Sequence, residues 1–255
     1  MYIVLNSHFL PKTIISMQSL TGKVVAITGA SRGIGAAMAR RFAAEDVRLV
    51  ICARRLGPLR KLARSLSLPP EKLLVVAADV STPRGMAKFV QGGYRKFGRI
   101  DVFINNVGVW GVKPINKITD AEFERLVATN IASVFYSFRA LIPLMKKQKG
   151  GEIINISSGA GRIPIPGLAV YCASKAAVNM LTAATLREVR NDNIKISVLA
   201  PGPVNALDTP AIKRRKYAVT AEQVADAAVA LARQDKSVHS WLVDIRPLIT
   251  DAPFV

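Results

Sequence analysis

The chain holds few of the residues that anchor disulfides, metals or membranes. Among 255 residues there are two cysteines, Cys52 and Cys172. They stand apart, without Cys-x-x-Cys spacing, and read as reduced thiols of a cytoplasmic protein rather than a disulfide. The two histidines, His8 and His239, form no ligand cluster, so no metal site is expected. No uninterrupted apolar run approaches about eighteen residues, so no membrane span is expected. Acidic residues are scarce as well: 17 against 36 basic ones, a net charge of +19. Such a charge attracts phosphorylated cofactors, acidic proteins, nucleic acid and anionic lipid at long range. Short basic clusters stand at 146–149 and 213–216, but no helix-turn-helix, zinc-finger or RNA-binding signature accompanies them. A solvated basic surface is the plain reading, and nucleic acid is not the expected partner.

Aromatic residues make up only 6%, while half the chain is hydrophobic, largely Ala, Val, Ile and Leu. That is the composition of buried parallel strands covered by helices. The first sixteen residues are apolar but carry Pro11, and lack both a basic leader and a small-residue cleavage site. Residues 1–16 are therefore expected to be an appended arm, disordered or upstream of a start at Met17, ahead of a domain spanning 17–255.

Beyond that arm, apolar β-rich runs at 24–28, 48–52, 73–77, 102–105, 152–157, 195–199 and 241–245 alternate with helical spacing at 34–44, 83–97, 120–147, 171–189 and 221–233. This alternation predicts one α/β domain, a parallel sheet with helices on both faces. Pro69 and Pro70 mark a helix-to-strand turn, and ligands are expected at the carboxyl ends of the strands, near the switch in strand order.

The first strand runs into Thr28-Gly29-Ala30-Ser31-Arg32-Gly33-Ile34-Gly35, which opens a helix. Glycines let backbone N–H groups approach a pyrophosphate, and a helix N-terminus favours its charge. NAD-binding folds usually place an acid about twenty residues later, on the ribose. Here that region reads Cys52-Ala53-Arg54-Arg55, with no acid. An arginine fork suits a phosphate, so Arg54, with Arg32 from the turn, predicts NADP(H). Farther on, Tyr171 and Lys175 stand four apart on one helix face, thirteen residues beyond Ser158. A phenol beside an ammonium can serve as an acid/base, and the cation is expected to lower the Tyr171 pKa towards about 7.

With the glycine turn, Asn105-Asn106-Val107-Gly108 and the Ser–Tyr–Lys set in place, the chain resembles the short-chain dehydrogenase/reductase family over about 22–245. It is similar to the compact cytoplasmic type that includes 3-oxoacyl-carrier-protein reductases. The resemblance implies a single-domain Rossmann fold, doubly wound with seven parallel strands, and a homodimer or homotetramer. It implies that Gly29, Ser31, Arg32, Gly33, Ile34 and Gly35 form the cofactor turn, that Asp79 and Val80 meet the adenine, and that Asn105 and Gly108 lie beside its ribose. It implies that Pro201, Gly202 and Val204 touch the nicotinamide. The catalytic set it implies is Asn130, Ser158, Tyr171 and Lys175, with Lys175 on the nicotinamide ribose and Asn130 holding a water on Lys175.

The chain departs from the family pattern at Val107, at Ala206 (where Asn205 or Thr209 stands in for a carboxamide-binding Thr), in the short 207–217 lid segment, and in a closing strand without Asp-Gly-Gly. Val109, Trp110, Arg162, Ile163, Pro164, Ile165 and the 207–217 segment are expected to line an apolar pocket for a small carbonyl substrate. The 213–216 run and Arg187 suit an acyl carrier protein, whereas Pro143 stands where carrier-dependent relatives place an arginine. Free carbonyl reduction, carrier-linked 3-oxoacyl reduction and a non-catalytic NADPH-binding regulator remain the alternatives.

Overall fold

The computed structural model describes residues 17–205, 218–235 and 237–248. The N-terminal arm at 1–16, Ala206, Thr209, the lid segment at 207–217 and the basic run at 213–216 lie outside them.

Strands β1 (Val24–Thr28), β2 (Arg48–Ala53), β3 (Leu73–Ala77), β4 (Val102–Asn105), β5 (Gly151–Ile156), β6 (Ile194–Pro201) and β9 (Leu242–Ile245) form one parallel sheet. Its order is β3-β2-β1-β4-β5-β6-β9, so the chain reverses direction across the sheet between β1 and β4. The helices are α1 (Gly33–Ala43), α2 (Leu56–Ser65), α3 (Pro83–Phe97), α4 (Asp120–Val127), α5 (Ser133–Lys147), α6 (Ala169–Val189) and α7 (Ala221–Ala232). A short parallel pair, β7 (Val204–Asn205) with β8 (Val219–Thr220), stands apart from the sheet.

The strands are apolar on successive residues because both faces are covered. Val25, Ile27, Leu49 and Ile51 pack under α1, α2 and α7, whereas Val24, Ala26, Val50 and Cys52 pack under α3, α5 and α6. Helix boundaries follow local chemistry. Thr119 with Glu122 and Thr220 with Gln223 form capping boxes at the starts of α4 and α7. Gly98, at φ 75°, ends α3 in the left-handed region.

The doubly wound Rossmann architecture expected from the alternation is present. The α2 helix was not among the stretches picked out by helical spacing; it has only ten residues, and its apolar side reduces to Leu59 and Leu62. The expected 120–147 helix is continuous but passes through a π turn at Ala128–Ala132. By length and composition Asp120–Lys147 could cross a membrane. Here α5 packs against α3, α6 and the sheet, with Ser133 and Ser137 buried.

At the amino ends of the strands, Glu152 is buried and its Oε1 has no hydrogen-bond partner among the described residues. Lys195 Nζ lies 3.3 Å from Oε2. Burial pushes the Glu152 carboxyl up to about 7, against the opposing pull of Lys195. The folded chain therefore keeps a proton that the unfolded chain loses near its ordinary carboxylate value. Stability from this group is complete at acid pH and is lost as pH rises from about 4.5 through about 7. Glu152→Gln should be more stable than the parent at about pH 8, on the order of 2 kcal/mol, with the difference vanishing near pH 4.5. Urea unfolding at several pH values checks this; parallel pH profiles for the two proteins would contradict it.

Candidate active site

The carboxyl ends of β1, β4, β5 and β6 bring the sequence-expected residues to one edge of the sheet. At the end of β1, Gly29 and Gly33 have φ of 64° and 56°, a region that favours glycine. A Cβ on Gly35 would stand 2.3 Å from the Gly29 carbonyl oxygen, so the turn closes only on glycine there. Arg32 occupies the N-cap of α1 without a side-chain cap hydrogen bond, and the first turn has no acid. Its N–H groups thus await an acceptor from elsewhere, in a setting that favours an anion. Ser31 and Ile34 are half-buried, while Arg32, Arg54 and Arg55 are exposed and have no acidic partner among the described residues.

A lock not foreseen from sequence joins this turn to the β4 loop. Thr28 Oγ1 donates to the Ile104 carbonyl and accepts the Asn106 N–H at 2.9 Å. Asn106 Nδ2 donates to the Thr28 and Gly29 carbonyls at 2.9 and 3.2 Å. Asn105, expected beside a ribose, turns its side chain into the core instead. Its Nδ2 donates to Ser137 Oγ and Asn155 Oδ1, and Asn155 donates to Thr182. What the 105–108 stretch can present to a ligand is therefore backbone. Asp79 is exposed at the end of β3, its Oδ1 accepting from the Ser81 N–H and hydroxyl, while Val80 is buried beneath it. Pro201 ends β6, Gly202 N–H donates to the Ile245 carbonyl at 2.8 Å, and Val204 pairs with Val219.

Ser158 follows β5 in extended conformation, its Oγ accepting the Ala160 N–H at 3.2 Å. Tyr171 and Lys175 lie on α6, which begins two residues before the expected start. Lys175 is buried, and its Nζ donates to the Ile156 carbonyl at 2.9 Å. The same Nζ lies 5.9 Å from the centre of the Tyr171 ring. A Cβ on Gly108 would stand 3.5 Å from Lys175 Nζ and 3.6 Å from Asn130 Oδ1, so Gly108, Asn130 and Lys175 share one pocket floor.

Asn130 sits in the π turn and is buried. Its Oδ1 accepts the Val109 N–H at 2.8 Å; its Nδ2 donates to the Val109 carbonyl and to Ser174 Oγ. Both amide hydrogens are committed, so the side chain fixes the β4 loop against α6. Ser174, which pattern reading passed over, completes this link by donating to the Tyr171 carbonyl at 2.7 Å.

The electrostatics differ from the sequence expectation. Burial raises the Tyr171 phenol, and the hydrogen bond with Ser158 is what draws it back down. Burial lowers Lys175 to about 8. The pair thus combines a protonated phenol with an ammonium that loses its charge not far above neutrality. A cavity of about 100 Å³ opens at the opposite end of the sheet, among Lys23, Asp101, Glu152 and Lys195, and includes none of these groups.

The family model described as short chain dehydrogenase matches residues 23–217. An oxidoreductase of Staphylococcus saprophyticus is 37% identical over 191 residues, which is 74% of this chain and 77% of that protein. A metagenomic short-chain oxidoreductase solved in complex with NADP superposes with a TM-score of 0.80 at 34% identity, over 91% of this chain and 100% of that one. The 3-ketoacyl-(acyl-carrier-protein) reductase from Brucella melitensis, complexed with NADH, has a TM-score of 0.80 at 30% identity, over 89% and 98%.

The Lys175 geometry has a thermodynamic consequence. Its folded pKa lies below the ordinary 10.5, so the buried charge disfavours folding below about pH 8, and that cost is gone above about pH 10.5. Lys175→Met should melt no lower than the parent at about pH 7, despite losing the bond to Ile156. Calorimetry checks this, and a drop of several degrees would contradict it.

Proposed function

The chain belongs to the short-chain dehydrogenase family, and on that premise we propose that it is an NADPH-dependent oxidoreductase that reduces a carbonyl to an alcohol, with Tyr171 as proton donor. The observation that carries this reading is the convergence of Ser158, Tyr171 and the buried Lys175 beside an uncapped glycine turn. The residues fit a dinucleotide. The turn excludes a Cβ at Gly35, leaves the α1 amides open and holds no acid that would repel phosphate. Related solved proteins carry NADP in one case and NADH in the other, so preference must come from this chain's own residues. Arg32 and Arg54, with no acid after β2, favour the 2′-phosphate.

In this reading the amides of Gly29–Gly35 hold the pyrophosphate, with Ser31 and Ile34 lining it, and Asp79 and Val80 border the adenine. The backbone of Asn105–Gly108 borders the ribose; Pro201, Gly202 and Val204 border the nicotinamide. The bound cofactor would supply two electrons and one hydrogen to the carbonyl carbon. Tyr171 Oη gives its proton to the carbonyl oxygen as general acid. Ser158 Oγ donates a hydrogen bond to that oxygen, where negative charge grows. The Lys175 ammonium stabilises the phenolate left behind and holds the ribose hydroxyls. Asn130 positions the Val109 loop and α6. Carrier-linked 3-oxoacyl reduction is the second reading, favoured by the exposed Arg187 on α6 and by the activity named for the Brucella neighbour.

Tyr171→Phe should lower kcat/KM for NADPH-dependent ketone reduction by about a thousandfold. Arg54→Ala should cut the preference for NADPH over NADH by about tenfold. For reduction, kcat/KM should fall as pH rises through about 8, where Lys175 loses its charge. Initial rates of NADPH oxidation check all three; a Tyr171→Phe enzyme near parental activity would refute the assignment of the acid.

A further inference from the structure

At the end of the sheet opposite Ser158 and Tyr171, the segments leading into β1, β4 and β5 meet β6 and the end of α7 around a cavity of about 100 Å³. Its charged lining is Lys23, Arg99, Lys149 and Lys195 against Asp101 and Glu152, four cations to two carboxyls. Hydrogen bonds fix the wall in place. Gln148 Oε1 accepts the Ile100 N–H, and its Nε2 donates to the Ile100 and Gly150 carbonyls. Asn193 Nδ2 donates to the Lys149 carbonyl. A wall held this way needs little ordering on binding.

The two acids differ. Asp101 is satisfied: its Oδ2 accepts the Val24 N–H at 2.9 Å, and its Oδ1 takes Arg99 at 2.8 Å and Lys23 at 3.7 Å. Glu152 is only 5% exposed, and its Oε1 has no partner among the described residues. Lys195 reaches Oε2 and the Gln234 carbonyl loosely, each at 3.3 Å. An unpaired buried carboxylate is costly, and a proton on it removes the charge that burial penalises. Burial holds that proton up to about 7, against the pull of Lys195. With the proton on, Glu152 is a donor and Lys195 has no counter-charge. The lining then sets four cations against one carboxylate, Asp101.

Size and sign select the occupant. The cavity, about 100 Å³, is larger than a water needs and smaller than the roughly 300–1,000 Å³ of pockets for drug-sized ligands. Its excess charge favours an anion. We propose that this cavity binds a small inorganic oxyanion of the sulfate and phosphate class, held by Lys195 and Lys23 with Glu152 as a hydrogen-bond donor. Binding therefore carries a proton with it, and affinity falls as Glu152 ionises.

The groups around Glu152 and Lys195 are Lys23, Arg99, Asp101 and Lys149 at the heads of the strands, with Asp235 and His239 after α7. Hydrogen bonds from Ser237 hold Asp235 below the ordinary carboxylate range, and burial holds His239 below 6.5. Neither matches the change at Glu152 between about pH 6.5 and 8.

The probe is sulfate, a dianion throughout that range. It is titrated into the full chain at constant ionic strength and followed by NMR at the amides of Lys149, Gly151 and Asn193. Saturable shifts are expected there, with Kd rising about eightfold from about pH 6.5 to about pH 8. Glu152→Gln, whose carboxamide donates at any pH, should bind with a Kd that stays flat over the range. Lys195→Gln should raise Kd at least about tenfold at the lower pH. Should that variant not fold, Lys23→Gln, at a half-exposed position, reads the same loss. Shifts confined to the Gly29–Gly35 turn, a Kd indifferent to the lysine variants, or a flat pH profile in the parent overturns the proposal. None of these readings involves NADPH turnover, so the reductase reading stands or falls separately.

Discussion

A buried ammonium organises the candidate site. Lys175 is enclosed by protein, and its hydrogen-bonded acceptor is the carbonyl of Ile156, at the end of β5. Burying a charge on one neutral acceptor is costly, and the lowered pKa of Lys175 measures that cost. The surrounding geometry follows from accommodating it. Gly161 must be bare because a Cβ would stand 2.9 Å from the Lys175 carbonyl oxygen, and Gly108 lies across from Nζ, where a Cβ would just touch it at 3.5 Å. Ser157 and Asn179 tie the same turn to α6 by hydrogen bonds to Lys175 O and Gly161 O. Ser158 and Tyr171, on opposite sides of this joint, are thereby held in reach of each other.

The fold delivers that joint through buried polar links rather than apolar packing alone. Ser137 on α5, Asn105 on β4, Asn155 on β5 and Thr182 on α6 form one chain of hydrogen bonds below the site. Polar groups inside a low-dielectric core are tolerated only when satisfied, and each satisfied link fixes register between strand and helix. The Thr28–Asn106 lock does the same across the strand-order switch, so the glycine turn and the lysine pocket are set by one framework.

Much of this was legible in the sequence, because its signals are local. Strand runs, the glycine turn and the Tyr-x-x-x-Lys spacing depend on neighbours a few residues apart, and the sheet, the turn and the α6 face follow them. What escaped were facts created by pairing. Asn105 faces the core and Asn106 the turn, a parity that strand pleat alone decides. Ser174 acquires its role only when α6 meets the π turn. The direction of the Tyr171 shift does not follow from the two-residue pattern because that pattern shows the cation but not the burial, which sets the direction against the pull of Ser158.

Net charge, the most conspicuous compositional feature, has limited bearing on this interior. The described site depends on one lysine whose partner is a backbone carbonyl and on arginines at its margin. The claim that most needs direct measurement is therefore the state of that lysine. A pH titration of the ¹³Cε signal of Lys175, followed by NMR in labelled protein with Lys175→Arg to assign it, reads it without reference to any substrate. A midpoint at about 8 is predicted; a midpoint at the ordinary lysine value of 10.5 would contradict it.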